Sequence, residues 1–179
     1  MLTIAICFLG CGKTSDVTNL KTKYVSVCYV VDMNVPEQVV GLSSNVFIGY
    51  VKEMTDTYYI SNFPYTRYDV KVIDNIKGEL PLDTTVCVNK EGGISEDSSC
   101  YLLFENDFLP DEGNYYIFNV RERIEDGSYT ASGINTVVLI DDIDISNSLN
   151  SKQELVNSDI YQRYIDAYQN QIVYDPNKG

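Results

Sequence analysis

The sequence predicts a mainly β domain, a small closed barrel of five or six strands with a short helix near 36–42 and a C-terminal helix near 151–170. Three observations predict it. Residues 45–80 hold two long runs rich in β-branched and aromatic residues, flanking the turn-prone Ser61-Asn62-Phe63-Pro64. Val46, Ile48 and Tyr50 alternate in the first run; Tyr68, Val70 and Val72 alternate in the second, with Arg67, Asp69 and Lys71 between them, the mark of strands with one wet face. Fifteen tyrosines and no tryptophan favour strands, and only after Ser151 does the apolar period become helical.

The elements follow in order. Residues 12–23 are polar and read as a tether. Residues 24–32 form an expected first strand, with Val25, Val27, Tyr29 and Val31 on one face and Cys28 on the other. Pro36 suits a first helical turn, Glu37 its positive end and Gly41 its close, so 36–42 reads as a helix with Val39 and Val40 inward. Residues 73–76 break the alternation of the second long run, predicting a bulge or bend, and Lys77-Gly78 turns the chain. Strands are expected at 84–89 and 114–120, the last central, with an acidic glycine-containing loop at 91–99, a brief apolar run at 101–104 and a turn at 110–113. Asp126-Gly127 tolerates the positive φ of a tight hairpin and leads to strands at 128–131 and 136–140. Ser151 with Glu154 forms a capping box, and Leu155, Ile160, Tyr164, Ile165 and Tyr168 recur at helical spacing, giving one helix that lies on the sheet.

At 179 residues the chain holds one domain with a sizeable core. Its net charge of −13 repels phosphate backbones and anionic membrane surfaces, which excludes nucleic acid as an expected partner. There is no histidine, which removes Ser-His-Asp and Cys-His catalysis, His-ligated zinc and the commonest general base near neutral pH. No enzyme activity, cofactor or metal is expected.

Residues 2–9 are apolar, too short to span a bilayer and about the length of a secretory signal core. Phe8-Leu9-Gly10-Cys11 followed by a polar stretch resembles the lipobox of bacterial lipoproteins, in which the cysteine is acylated and becomes the mature first residue. Phe8 stands where an aliphatic residue is usual and Leu9 where a small one is, and the positively charged start is missing, so Met1 is expected to lie inside a longer natural signal. The resemblance implies a signal-like segment at 1–10, the anchor Cys11 with its tether at 11–23, and a single domain at 24–179 carried on the outer face of a bacterial cell membrane. The competing reading of 2–9 is a buried strand. Gly10-Cys11-Gly12-Lys13-Thr14 also ends like a phosphate-binding loop, but Cys7 occupies the position of its first glycine and 15–23 is polar where an apolar helix should follow.

Ile48-Gly49-Tyr50-Val51, Lys77-Gly78, Gly92-Gly93 and Pro110-Asp111-Glu112-Gly113 before a Tyr/Phe-rich strand form a familiar series. Over 45–140 the chain resembles exported bacterial proteins with an OB-like barrel, similar in fold to the netrin-like domain of tissue inhibitors of metalloproteinases. These are turn and loop positions, so the resemblance implies fold more than function. Those inhibitors chelate zinc through a free N-terminal cysteine. An acylated Cys11 amine is a poor ligand, so zinc-chelating inhibition is not expected to carry over.

Cys87 and Cys100 flank the acidic loop; they are read either as a disulfide, stabilising by about 3 kcal/mol through loop closure, or as free thiols. Asp142, Asp144 and Ser146 occupy the first, third and fifth places of a calcium loop, but Asn147 and Gln153 replace its glycine and its glutamate, so an EF-hand is excluded. Carboxylates such as Glu91, Glu105, Asp107 and Asp111 could serve a glycoside hydrolase only if two faced each other across a cleft. Tyr58, Tyr59, Tyr65 and Tyr68 form a candidate ligand face, since barrels of this kind bind extended ligands on strands; the competing reading is core and sheet surface. The resulting expectation is a monomeric, membrane-anchored binding module for a protein or cell-envelope ligand, with peptidase inhibition through loops as the first alternative and carboxylate hydrolysis as the second.

Overall fold

The structure is a computed structural model and describes residues 20–141 and 151–175. The elements run β1 (Lys21–Val25), α1 (Pro36–Leu42), β2 (Asn45–Ile60), β3 (Phe63–Lys77), β4 (Thr85–Glu91), β5 (Gly93–Ile94), β6 (Cys100–Phe104), β7 (Tyr115–Glu122), β8 (Tyr129–Ala131), β9 (Val137–Leu139), α2 (Ser151–Asn157) and α3 (Asp159–Gln169).

Strands β2, β3, β4, β8 and β7 are neighbours in that order, and β2 also pairs with β7, so five strands close into a ring. All ring pairings are antiparallel except β4 with β8. This is the OB-like barrel the sequence predicts. β9 adds to β7 outside the ring, and β1, β6 and β5 form a separate three-stranded sheet.

Alternation along β2 and β7 splits the apolar residues between two cores. Phe47, Val51, Val70, Phe118 and Val120 fill the barrel, where Phe47 and Phe118 stack at 5.4 Å. Val46, Ile48 and Ile117 point outward under the helices, against Leu155, Tyr161 and Tyr164. Burying side chains of this size contributes about 1.5–3 kcal/mol each. Gly49 lies where β2 is flanked on both sides, and a Cβ there would sit 2.4 Å from Val70 Cγ1 and 2.7 Å from a Phe118 ring carbon. Only a residue without a side chain lets the barrel close at this point.

The expected bend appears as register shifts: Phe47 faces Asn75 after Val46 faces Lys77, and Gly49 faces Val72 after Ile48 faces Asp74, leaving Ile76 and Ile73 unmatched. The hairpin turn is Ser61-Asn62, both at positive φ, while Phe63 and Pro64 already belong to β3.

Three other expectations are corrected. The first strand is displaced: β1 occupies Lys21–Val25, so it begins within the stretch read as tether and keeps only Tyr24 and Val25 of the expected strand, and 26–32 is not a strand. The alternation of Val25, Val27, Tyr29 and Val31 marks no buried face, because β1 pairs on β6 with every residue exposed. The loop 91–99 contains β5. The C-terminal helix is two helices, because Ser158 takes an extended conformation, accepts the Tyr161 N–H through its side chain, and starts α3 as an N-cap.

The chain after α3 crosses α1, with Ile172 N–H donating to Glu37 C=O at 2.9 Å. Among the described residues no helix is long and apolar enough to cross a membrane. Cys11, the signal-like segment and the acidic stretch at 142–147 lie outside the described residues.

Candidate functional site

The four tyrosines do not share a face. In the β2–β3 hairpin Tyr58 is opposite Tyr65 and Tyr59 is opposite Pro64, so neighbours in sequence point to opposite sides. Tyr58 and Tyr65 stack at 5.4 Å on the outer side, and the Arg67 guanidinium lies 5.1 Å above the Tyr58 ring. Arg123 donates to the Tyr58 hydroxyl at 3.1 Å, and the Tyr65 hydroxyl donates to Glu91 at 3.1 Å. Burial, then the Glu91 carboxylate, pushes the Tyr65 phenol up to about 12. Both hydroxyls and the stacked faces are thus engaged by neighbours within the protein.

Tyr68 is a correction to the expected face: it is 2% exposed and belongs to the barrel core. Desolvation raises its pKa. Tyr59 donates to the Ile94 carbonyl at 3.1 Å, joining the hairpin to β5.

The inner side of the hairpin is different. Thr57, Thr66 and Tyr68 face β5, β6 and the loop 108–112 across a groove of about 450 Å³. Its walls carry Tyr101 and Leu103 from β6 and Phe108, Leu109 and Pro110 from the loop. Its rim carries Met54, Asp111 and Glu112. Glu112 Oε1 accepts the Met54 N–H at 2.7 Å, pinning the loop to β2. The Asp111 side chain has no hydrogen-bond partner among the described residues. The groove is therefore apolar inside and acidic at one end, a form suited to an apolar group next to a cation. Aliphatic and aromatic positions of β6 and of 108–112 carry it; the sequence signal was the apolar run beside Pro110, which reads as a turn until β5 and β6 bring it to the hairpin.

Cys87 and Cys100 are free thiols, as is Cys28, and the disulfide reading is not realised. Cys87 sits in β4 opposite Asp69, whereas Cys100 starts β6 opposite Lys21, in the other sheet. Three of the four candidate carboxylates are engaged in structural contacts: Glu91 accepts Ser132 Oγ at 2.7 Å, Glu105 accepts Ser26 Oγ at 3.1 Å, and Asp107 pairs with Lys90. Among the described residues no group of three or more potential ligands could hold a metal ion. No family model matches the chain, and no curated protein matches it.

Proposed function

We propose that this domain is a binding module without chemistry of its own, held at a cell surface through Cys11, and that it takes an extended polypeptide segment into the groove beneath the β2–β3 hairpin. The observation that supports it is the groove's combination of apolar walls, Tyr101, Leu103 and Phe108, with the free carboxylate of Asp111 at its rim. An apolar side chain would fill the walls, and a neighbouring Lys or Arg would meet Asp111. The net charge of −13 favours such a basic partner and makes its capture sensitive to salt.

The test is an array of extended peptides pairing aromatic or aliphatic residues with Lys or Arg, probed with the full chain. Bound peptides should lose about tenfold in affinity in Leu103→Glu, which places a charge in the groove, and a smaller factor in Asp111→Asn. Retrieval of no peptide, or of peptides indifferent to Leu103→Glu in a folded variant, would overturn the proposal.

A second reading, loop-borne peptidase inhibition, is favoured by one feature. Asp97 Oδ1 accepts Ser95 Oγ at 2.7 Å, Ser99 Oγ at 2.7 Å and Ser99 N–H at 3.1 Å, which holds 95–99 in one conformation before any partner arrives. Inhibition of a secreted peptidase that is lost in Asp97→Ala would select this reading over the groove.

A further inference from the structure

One buried pair has no part in either surface. Val86 and Val88 pack at the barrel core, and Lys90 continues their phase along β4, opposite Thr66 and Ala131. Its side chain is 0% exposed, and that of Asp107, in the loop after β6, is 2% exposed. Lys90 Nζ lies 2.5 Å from Asp107 Oδ2 and donates to the Gly133 carbonyl at 2.9 Å. The other carboxyl oxygen, Oδ1, accepts the Phe108 N–H at 2.9 Å. Tyr29 roofs this end of the barrel: its hydroxyl accepts the Ile134 N–H at 3.2 Å, and a Cβ on Gly133 would stand 2.5 Å from its ring.

Two ions placed here lose their hydration, which opposes keeping both charged. Burial lowers the Lys90 pKa and raises that of Asp107, so desolvation pushes both toward their neutral forms. Held in direct contact, the two groups are placed for acylation whenever the proton sits on the carboxyl and the amine is free.

We propose that Lys90 and Asp107 become joined by a side-chain amide. The Nζ lone pair attacks Asp107 Cγ. The developing negative charge falls on Oδ1, where the Phe108 N–H stabilises it. The C–Oδ2 bond then breaks, Oδ2 departs with its own hydrogen and one from Nζ, and one water is released; nothing is oxidised or reduced. Contact inside a rigid barrel makes the step unimolecular, which supplies much of its rate. The product is matched to the site. Its remaining N–H has the Gly133 carbonyl as acceptor, its carbonyl keeps the Phe108 N–H, and two buried charges disappear. The link would staple β4 to the loop leading to β7, across a sequence separation of 17, in a fold whose described cysteines are all free.

The experiment is peptide mapping of the purified full chain after cleavage at glutamate. Cuts after Glu79, Glu91, Glu105 and Glu112 place Lys90 and Asp107 in separate peptides, 80–91 and 106–112. The expected result is one species containing both peptides, lighter than their sum by one water, with fragment ions that locate the join at Lys90 and Asp107. Lys90→Arg should yield two unlinked peptides. Asp107→Asn should restore the same link with ammonia as the leaving group. Two separate peptides of full mass from the wild-type chain would overturn the proposal. So would a loss of water confined to 106–112, which is the mark of a cyclic imide at Asp107. The wild-type map decides even where a variant fails to fold.

Discussion

Tyr161 donates its hydroxyl hydrogen to Asp74 Oδ2 at 2.7 Å, fastening α3 to the bent part of β3. Lys152 of α2 reaches the other oxygen of the same carboxylate at 3.1 Å. One residue at the bend thus anchors both C-terminal helices. Removing the hydroxyl in Tyr161→Phe should cost about 1–3 kcal/mol, read as a lower midpoint in urea with an unchanged slope.

The same contact predicts a pH dependence. Burial, then the Asp74 hydrogen bond and charge, pushes the Tyr161 phenol from 10.0 up to about 12. The raised value means that the fold favours the protonated phenol. Its contribution is complete below about pH 10 and is lost as pH rises through about 12. Stability should fall across that window in the wild-type chain, and less steeply in Tyr161→Phe. Equal slopes in the two proteins would count against the contact.

Leu155 is fully buried between α2 and the outer face of the barrel. Leu155→Ala should cost about 2–5 kcal/mol, because the rigid sheet beneath it cannot collapse into the space. A melting temperature within a degree or so of wild type would show that α2 does not dock as described.

The thiols should differ in reactivity. Cys28 is exposed, Cys87 is half-buried with its pKa raised by burial, and Cys100 is buried. A water-soluble thiol reagent should label Cys28 first in the native protein. In denaturant without reductant all three should label; failure of Cys87 and Cys100 to do so would reveal a disulfide.

Much of the barrel could be read from side-chain phase. The alternation of Tyr68, Val70 and Val72, its break at Ile73 and Ile76, and the Asp126-Gly127 turn each became the element they suggested. The first strand could not be read this way. Val25, Val27, Tyr29 and Val31 alternate like a buried strand, but Val27 is 42% exposed and Tyr29 serves as a roof over Gly133. Local pattern reports what a segment could bury, not whether a partner is there to cover it.

The candidate site was less legible for a related reason. Tyr58 and Tyr59 look like one cluster in sequence, yet a strand sends them to opposite sides, and the groove needs β6 and 108–112 brought in from elsewhere in the chain. The Lys90–Asp107 pair did leave a trace. Lys90 falls in the same phase as Val86 and Val88, so a charged residue was aimed at the core, and that signal was there to be taken.

The pairing of β2 with β7 has a kinetic consequence. Asn45 meets Val120 across that seam, a partner far away in sequence. A chain emerging from its N-terminus can zip the β2–β3 hairpin early, since its turn is local. The edge of β2 that β7 will occupy stays open until Tyr115–Val120 have been made. Closing so long a loop has to precede the packing that rewards it, so folding should fall in the millisecond-to-second range typical of non-local β topologies. During that interval the unpaired backbone of Asn45–Tyr50 is the part of the molecule most open to pairing with another chain, and the period before closure is when aggregation is most to be expected.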